Sequence, residues 1–86
     1  SQGISLREHL LTQLHEEVQD PVKRLIGAHL VDMTDEAGYI KEDLKPLAET
    51  LGIELQDIEE VLQQLQGFDP PGICARNLKE CLMIQL

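Results

Sequence analysis

Two cysteines, three histidines and sixteen carboxylates are the side chains through which this 86-residue chain could do redox, metal or acid–base chemistry. Cys74 and Cys81 stand seven apart. On one helix that spacing puts their Cα atoms about 10 Å apart, beyond the roughly 7 Å that a disulfide bridges. Both therefore read as small buried apolar residues in a reducing compartment, and a cytoplasmic location is expected. His9, His15 and His29 do not join the cysteines at zinc-ligand spacing. His9 and His15 are six apart, on opposite sides of a helix, and all three histidines read as surface or boundary residues.

Other chemistries fail on register. An acidic stretch lies between two helical segments, which invites comparison with a calcium loop. With Asp32 at loop position 1, Thr34 falls at 3, Ala37 at 6 and Asp43 at 12. Such a loop needs Gly at 6 and Glu at 12. A carrier domain needs a serine at a helix start to hold its prosthetic arm, and the only serines are Ser1 and Ser5. No serine, histidine and acid are arranged as a triad, and no glycine-rich phosphate loop occurs. The carboxylates fall on helix surfaces, without an apolar pocket to raise a pKa. No enzymatic activity, cofactor or metal is expected, and binding is the function left.

The elements that would present a binding surface are helical. The chain is 42% apolar with only two aromatic residues, Tyr39 and Phe68, so its core must be aliphatic. Ser5 and Glu8 form a capping box before the stripe Leu6, Leu10, Leu11, Leu14 and Val18, which predicts a helix over 6–19. Asp20 as N-cap and Pro21 at the first position open a second, over 22–33, with Val22, Leu25, Ile26, His29, Leu30 and Met33 facing inward. Thr34 to Gly38 is a turn, and Tyr39-Ile40 a short extended pair. A third helix is expected over 43–51 with Pro46 in its first turn, closed by Gly52, and a fourth over 56–66, followed by Gly67. Asp69-Pro70-Pro71-Gly72 is a rigid break. A fifth helix over 76–86 should pack Leu78, Cys81, Leu82 and Gln85 on the first four, leaving Met83 and Leu86 outward. The sum is an all-α compact bundle of about five short helices. The last helix is uncapped and apolar nearly all round, so the chain is expected to be the leading part of a longer domain. Its exposed apolar residues are expected to drive self-association through the fifth helix, induced by the truncation. No apolar run approaches the ~20 residues of a membrane span, and no membrane partner or signal segment is expected.

Charge is uneven. Asp32 to Glu60 holds ten acids and two bases, a net of −8, within a total of −9. Leu44 to Leu65 has the shape of a helix-turn-helix, with Ala48, Gly52, Ile58 and Leu62 at its small, turn and core positions. Its second helix would present Gln56, Asp57, Glu59, Glu60, Gln63 and Gln64 outward. DNA affinity rests on lysines and arginines that neutralise phosphates, and this face opposes them. An acidic helix-turn-helix DNA-binding module remains the alternative to a protein-binding one.

The run Gly67-Phe68-Asp69-Pro70-Pro71-Gly72-Ile73-Cys74-Ala75-Arg76-Asn77-Leu78-Lys79-Glu80-Cys81-Leu82-Met83-Ile84-Gln85-Leu86 resembles the core-binding region of the bacterial sigma-54 family. That family shows an aromatic or leucine, then Asp-Pro-x-Gly, a Val or Ile, x-Ala-Arg, an Asp or Asn, Leu-x-Glu-Cys-Leu, and ends the block in Gln-Leu. Every fixed element is present. Leu6 to Leu14, and the acidic turn before Gly38-Tyr39-Ile40, resemble the same region.

The resemblance implies an enhancer-dependent sigma factor of nitrogen-regulation type that binds core RNA polymerase in transcription initiation. In the parent protein, promoter DNA and an ATP-hydrolysing activator would be further partners, met through a C-terminal helix-turn-helix, a signature box and a glutamine-rich N-terminal region beyond this chain. Within the block, Phe68, Asp69, Pro70, Gly72, Ala75, Leu78, Cys81 and Leu82 are expected to be architectural. Arg76 and Glu80 are placed to pair, or Arg76 to tie back to Asp69. Arg76, Lys79 and Glu80 are the candidate partner-binding residues.

Overall fold

A computed structural model describes residues 5–69 and 72–85. The described residues form five helices, α1 (Leu6–Glu17), α2 (Pro21–Met33), α3 (Lys45–Leu51), α4 (Leu55–Leu65) and α5 (Leu78–Gln85), with no sheet. The all-α expectation holds. Pro70, Pro71 and Leu86 lie outside the described residues.

Helix starts follow local chemistry. The Ser5 hydroxyl accepts from Glu8 N at 3.1 Å while the Glu8 carboxylate reaches back to Ser5 N, the reciprocal box expected before α1. Asp20 Oδ1 accepts from Val22 N at 2.9 Å, and Pro21 occupies the first helical position, where its missing N–H is no loss. The α1 end is closed by a residue the sequence pattern does not mark. The Arg24 guanidinium donates to the carbonyls of His15 and Val18, filling acceptors left open at the helix C-terminus.

α1 and α2 form an antiparallel pair, tied end to end by Arg7 and Asp32, and α4 packs on α2 with α3 against α4. Gly27 sets the closeness of the first pair: a Cβ there would stand 2.6 Å from Leu14 Cδ1. The core of Leu10, Leu14, Ile26, Leu30, Val31, Ile58, Val61, Leu62 and Leu65 is aliphatic, and Phe68 joins it.

The structure corrects several inward assignments. Val22 and Leu25 are 57% and 53% exposed, and Val31 and Gly27 take the inward positions of α2. The stripe of α2 rotates because Gly27 lets α1 approach on that side. α3 begins at Lys45 rather than 43, because Asp43 Oδ1 takes the N–H of Lys45 and stays outside the helix. α1 ends at Glu17, since Val18 is extended and its N–H closes on Leu14 O at 3.0 Å. Gly52 does close α3 in the left-handed region, at φ 67°.

Candidate functional site

The family-like block is built on a clamp between two loops. The Asp35 carboxylate accepts from the N–H groups of Ala37 and Tyr39, each at 2.9 Å, and folds the acidic turn on itself. Those bonds, with Lys41 nearby, hold the Asp35 carboxyl below the usual carboxylate range. The turn then pairs with the segment after α4. Cys74 N donates to Gly38 O at 2.7 Å, and Ile40 N donates to Ala75 O at 2.9 Å, a single parallel bridge. The Tyr39-Ile40 extended pair thus exists to receive Ala75.

Residues 72–75 are all buried, and two are bent into left-handed backbone, Gly72 at φ 83° and Cys74 at φ 62°. A non-glycine residue there is uncommon. The Cys74 thiol faces Thr34 Oγ1 at 3.5 Å, and its burial pushes its pKa up. The other thiol, Cys81, stands against Gly72 and accepts from Gln85 Nε2 at 3.3 Å. Both thiols are free. The reason differs from helical spacing, because Cys74 lies before α5 and turns inward. The Tyr39 phenol is pushed up by burial first, then by Cys81 and Asp35. Among the described residues, no three His, Cys, Asp or Glu stand close enough to hold a metal ion.

The three candidate partner residues divide. Arg76 and Glu80 pair: Arg76 Nη2 reaches Glu80 Oε2 at 2.9 Å, and Arg76 N donates to Oε1 at 2.9 Å. Gln66 at the end of α4 donates to the same Oε1 at 2.8 Å and to Cys74 O at 3.2 Å. Arg76 also stands 3.8 Å from Glu59. Glu80 is therefore the knot joining α4, the 72–75 segment and α5. Arg76 turns to Glu59 and Glu80, not to Asp69. Asp69 is held otherwise, its backbone N–H and C=O paired with the Gln13 side-chain amide at 3.0 and 2.8 Å. Asn77 caps α5 through Glu80 N at 2.8 Å, so the helix starts at Leu78 rather than 76. Lys79 has no ion-pair partner among the described residues.

Arg76 lowers the Glu80 carboxyl by its hydrogen bonds, against partial burial. A carboxyl lowered in the folded state contributes stability above its unfolded range, and that contribution is lost as pH falls through the folded value. The Arg76 Nε–H resonance should therefore hold its shift through the ordinary glutamate range and move only below it. Titration at the ordinary position would contradict the pairing.

The outward face of α5 corrects the largest expectation. Leu78 and Leu82, expected to pack on the bundle, are 63% and 55% exposed, beside Met83 at 62%. Among the described residues, no other helix packs closely along α5. Gly72 and Cys81 decide this, for their close contact turns Cys81 and Gln85 toward the clamp and Leu78 and Leu82 away. The site is thus an aliphatic ridge with Lys79 on it, held by the Glu80 knot.

The helix-turn-helix shape of α3 and α4 is present, and all of Gln56, Asp57, Glu59, Glu60, Gln63 and Gln64 are exposed. This chain should show no sequence-selective shift of promoter DNA at moderate salt. A selective, steeply salt-dependent complex would contradict the acidic-face argument.

The sequence matches the family described as "Sigma-54 factor, core binding domain" over residues 1–86. It is 53% identical to RNA polymerase sigma-54 factor 2 of Bradyrhizobium diazoefficiens over 83 residues, covering 96% of this chain and 16% of that protein. Sigma-54 factor 1 of the same organism is 54% identical over 82 residues, 95% of this chain and 17% of that protein. The sigma-54 factor of Xanthomonas euvesicatoria is 46% identical over 86 residues, 95% of this chain and 18% of that protein. The chain spans less than a fifth of the length of these relatives.

Proposed function

The chain belongs to the sigma-54 factor core-binding domain family, and from that membership we propose that it docks on core RNA polymerase through the exposed ridge of α5. The observation that supports this is the ridge itself, with Leu78, Leu82 and Met83 open to solvent on a helix that no other helix packs closely along among the described residues. Large exposed aliphatic side chains together mark a contact surface. Lys79 supplies a cation for the partner, while Arg76 and Glu80 hold the helix in place. The role is binding rather than catalysis, in bacterial transcription initiation and hence in the cytoplasm. No helix among the described residues is long and apolar enough to cross a membrane.

Promoter DNA and an ATP-hydrolysing activator are assigned as partners of a longer sigma factor in which these residues form the first part of the core-binding domain. The experiment is gel filtration of the chain with core polymerase. Co-elution is expected for the wild type and loss for Leu82→Ser, whereas separate elution of the wild type would reject the proposal.

The same ridge supports self-association when nothing else covers it. Sedimentation at rising concentration should show dimers that Leu82→Ser abolishes. A monomer at all concentrations would remove this expectation.

A further inference from the structure

A second surface carries apolar side chains within a rim of carboxylates, where the start of α2 meets the α3–α4 turn and α4. Val22 and Ile26 from the start of α2, Ile53 from the α3–α4 turn and Val61 from α4 line a shallow trough of about 120 Å³. Ile26 and Val61 form its buried floor, and Val22 is an open wall at 57% exposure. A cavity near 150 Å³ accommodates benzene, so the trough has room for one aliphatic side chain.

Three carboxylates rim it, Asp20, Asp57 and Glu60, with Lys23 the one cation. None of the three forms an ion pair among the described residues. Among the described residues the Asp20 carboxylate accepts from the backbone N–H of Val22 and meets no cation. Glu59, one residue from Glu60, is by contrast met by Arg76. An aliphatic notch with unpaired carboxylates around it is complementary to an apolar side chain flanked by cations. Nucleic acid is opposed by the same carboxylates, and so is the trough of a second copy.

We propose that this trough seats a basic amphipathic helix of a core polymerase subunit, an assignment that rests on polymerase being the partner of this chain. One leucine-like side chain enters against Ile26 and Val61, and lysines or arginines a turn away meet Asp57 and Glu60. Helix-in-groove recognition of this kind takes its affinity from the apolar anchor and its orientation from the rim charges. It is a contact separate from the α5 ridge, so the chain would grip its partner at two places.

The test has two arms. In the first, the labelled chain is titrated with a short leucine–lysine amphipathic helix and with a leucine–glutamate helix of the same length. The lysine helix should shift the amides of Val22, Ile53 and Val61, and the glutamate helix should not. Equal binding of both, or shifts confined to α5, would overturn the proposal. In the second arm, Glu60→Lys should weaken polymerase binding about tenfold, and Glu16→Lys on α1 by less than about twofold. Thermal melts check that each variant is folded, and Glu60→Gln, which removes charge without adding length, should fall between. Equal losses for Glu60→Lys and Glu16→Lys would overturn the proposal. Seating of the lysine helix without any binding of polymerase by the wild type would reject the polymerase reading and leave the trough's preference for basic helices standing.

Discussion

Gly72→Val is expected to lower the melting temperature of this chain by about 15 °C, because two independent penalties fall on one residue. The backbone there is left-handed, at φ 83°. An L-residue in that region costs roughly 1–2 kcal/mol, and a β-branched one suffers most. The added Cβ would also meet Cys81 Sγ, with Gln85 Nε2 2.9 Å away. Overpacking of this kind adds about 1–3 kcal/mol. Together they amount to about 3 kcal/mol, and a domain of this size shifts by roughly 4–8 °C per kcal/mol. The damage spreads because Gly72 starts the buried segment that pairs with Gly38 and Ile40. Gly72→Ala should show the smaller part of the loss. A thermal melt of the valine variant indistinguishable from wild type would contradict the account of the clamp.

Leu65→Ala and Leu82→Ser should separate folding from binding. Leu65 is fully buried among the core aliphatics at the end of α4. Truncating such a leucine costs about 3 kcal/mol through lost transfer energy and the cavity left behind. Leu82 is 55% exposed, so its replacement changes stability by no more than about 0.5 kcal/mol. Urea denaturation should show this difference, and polymerase binding should show the reverse order at concentrations where both are folded. If Leu82→Ser destabilises as much as Leu65→Ala, the ridge packs inward. If it leaves binding intact, the ridge is not the contact.

What the sequence disclosed, and what it withheld, follows the range of the forces involved. Capping at Ser5 and Asp20, the stop at Gly52 and the stripe of α4 depend on neighbours within a few residues, and periodicity reads them directly. The Arg76–Glu80 pair is one helical turn long and was legible for the same reason. The Gln13–Asp69 amide pair spans 56 residues, and the Tyr39–Ala75 bridge joins two loops, so no local pattern announces either. Arg24 closes α1 from the next helix, which only the turn at Asp20 makes possible. The orientation of α5 departs from its periodicity for a specific reason. Periodicity groups Leu78 with Cys81 and Leu82 on one face, but the contact of Cys81 with Gly72 turns the helix by its polar side toward the clamp. Leu78 and Leu82, which periodicity places in the core, therefore stand open to solvent, and Arg76 and Glu80 are engaged with each other.

A chain that docks as proposed occupies the surface of core polymerase used by an intact sigma-54 factor. The direct measurement is displacement: the chain carries a fluorescent label, binds core polymerase, and a full-length sigma-54 factor is titrated in. Binding of the wild-type chain and its complete release by the intact factor are expected, with Leu82→Ser unable to bind at the same concentration. A wild-type chain that does not bind, or that stays bound when the intact factor saturates the polymerase, would contradict it.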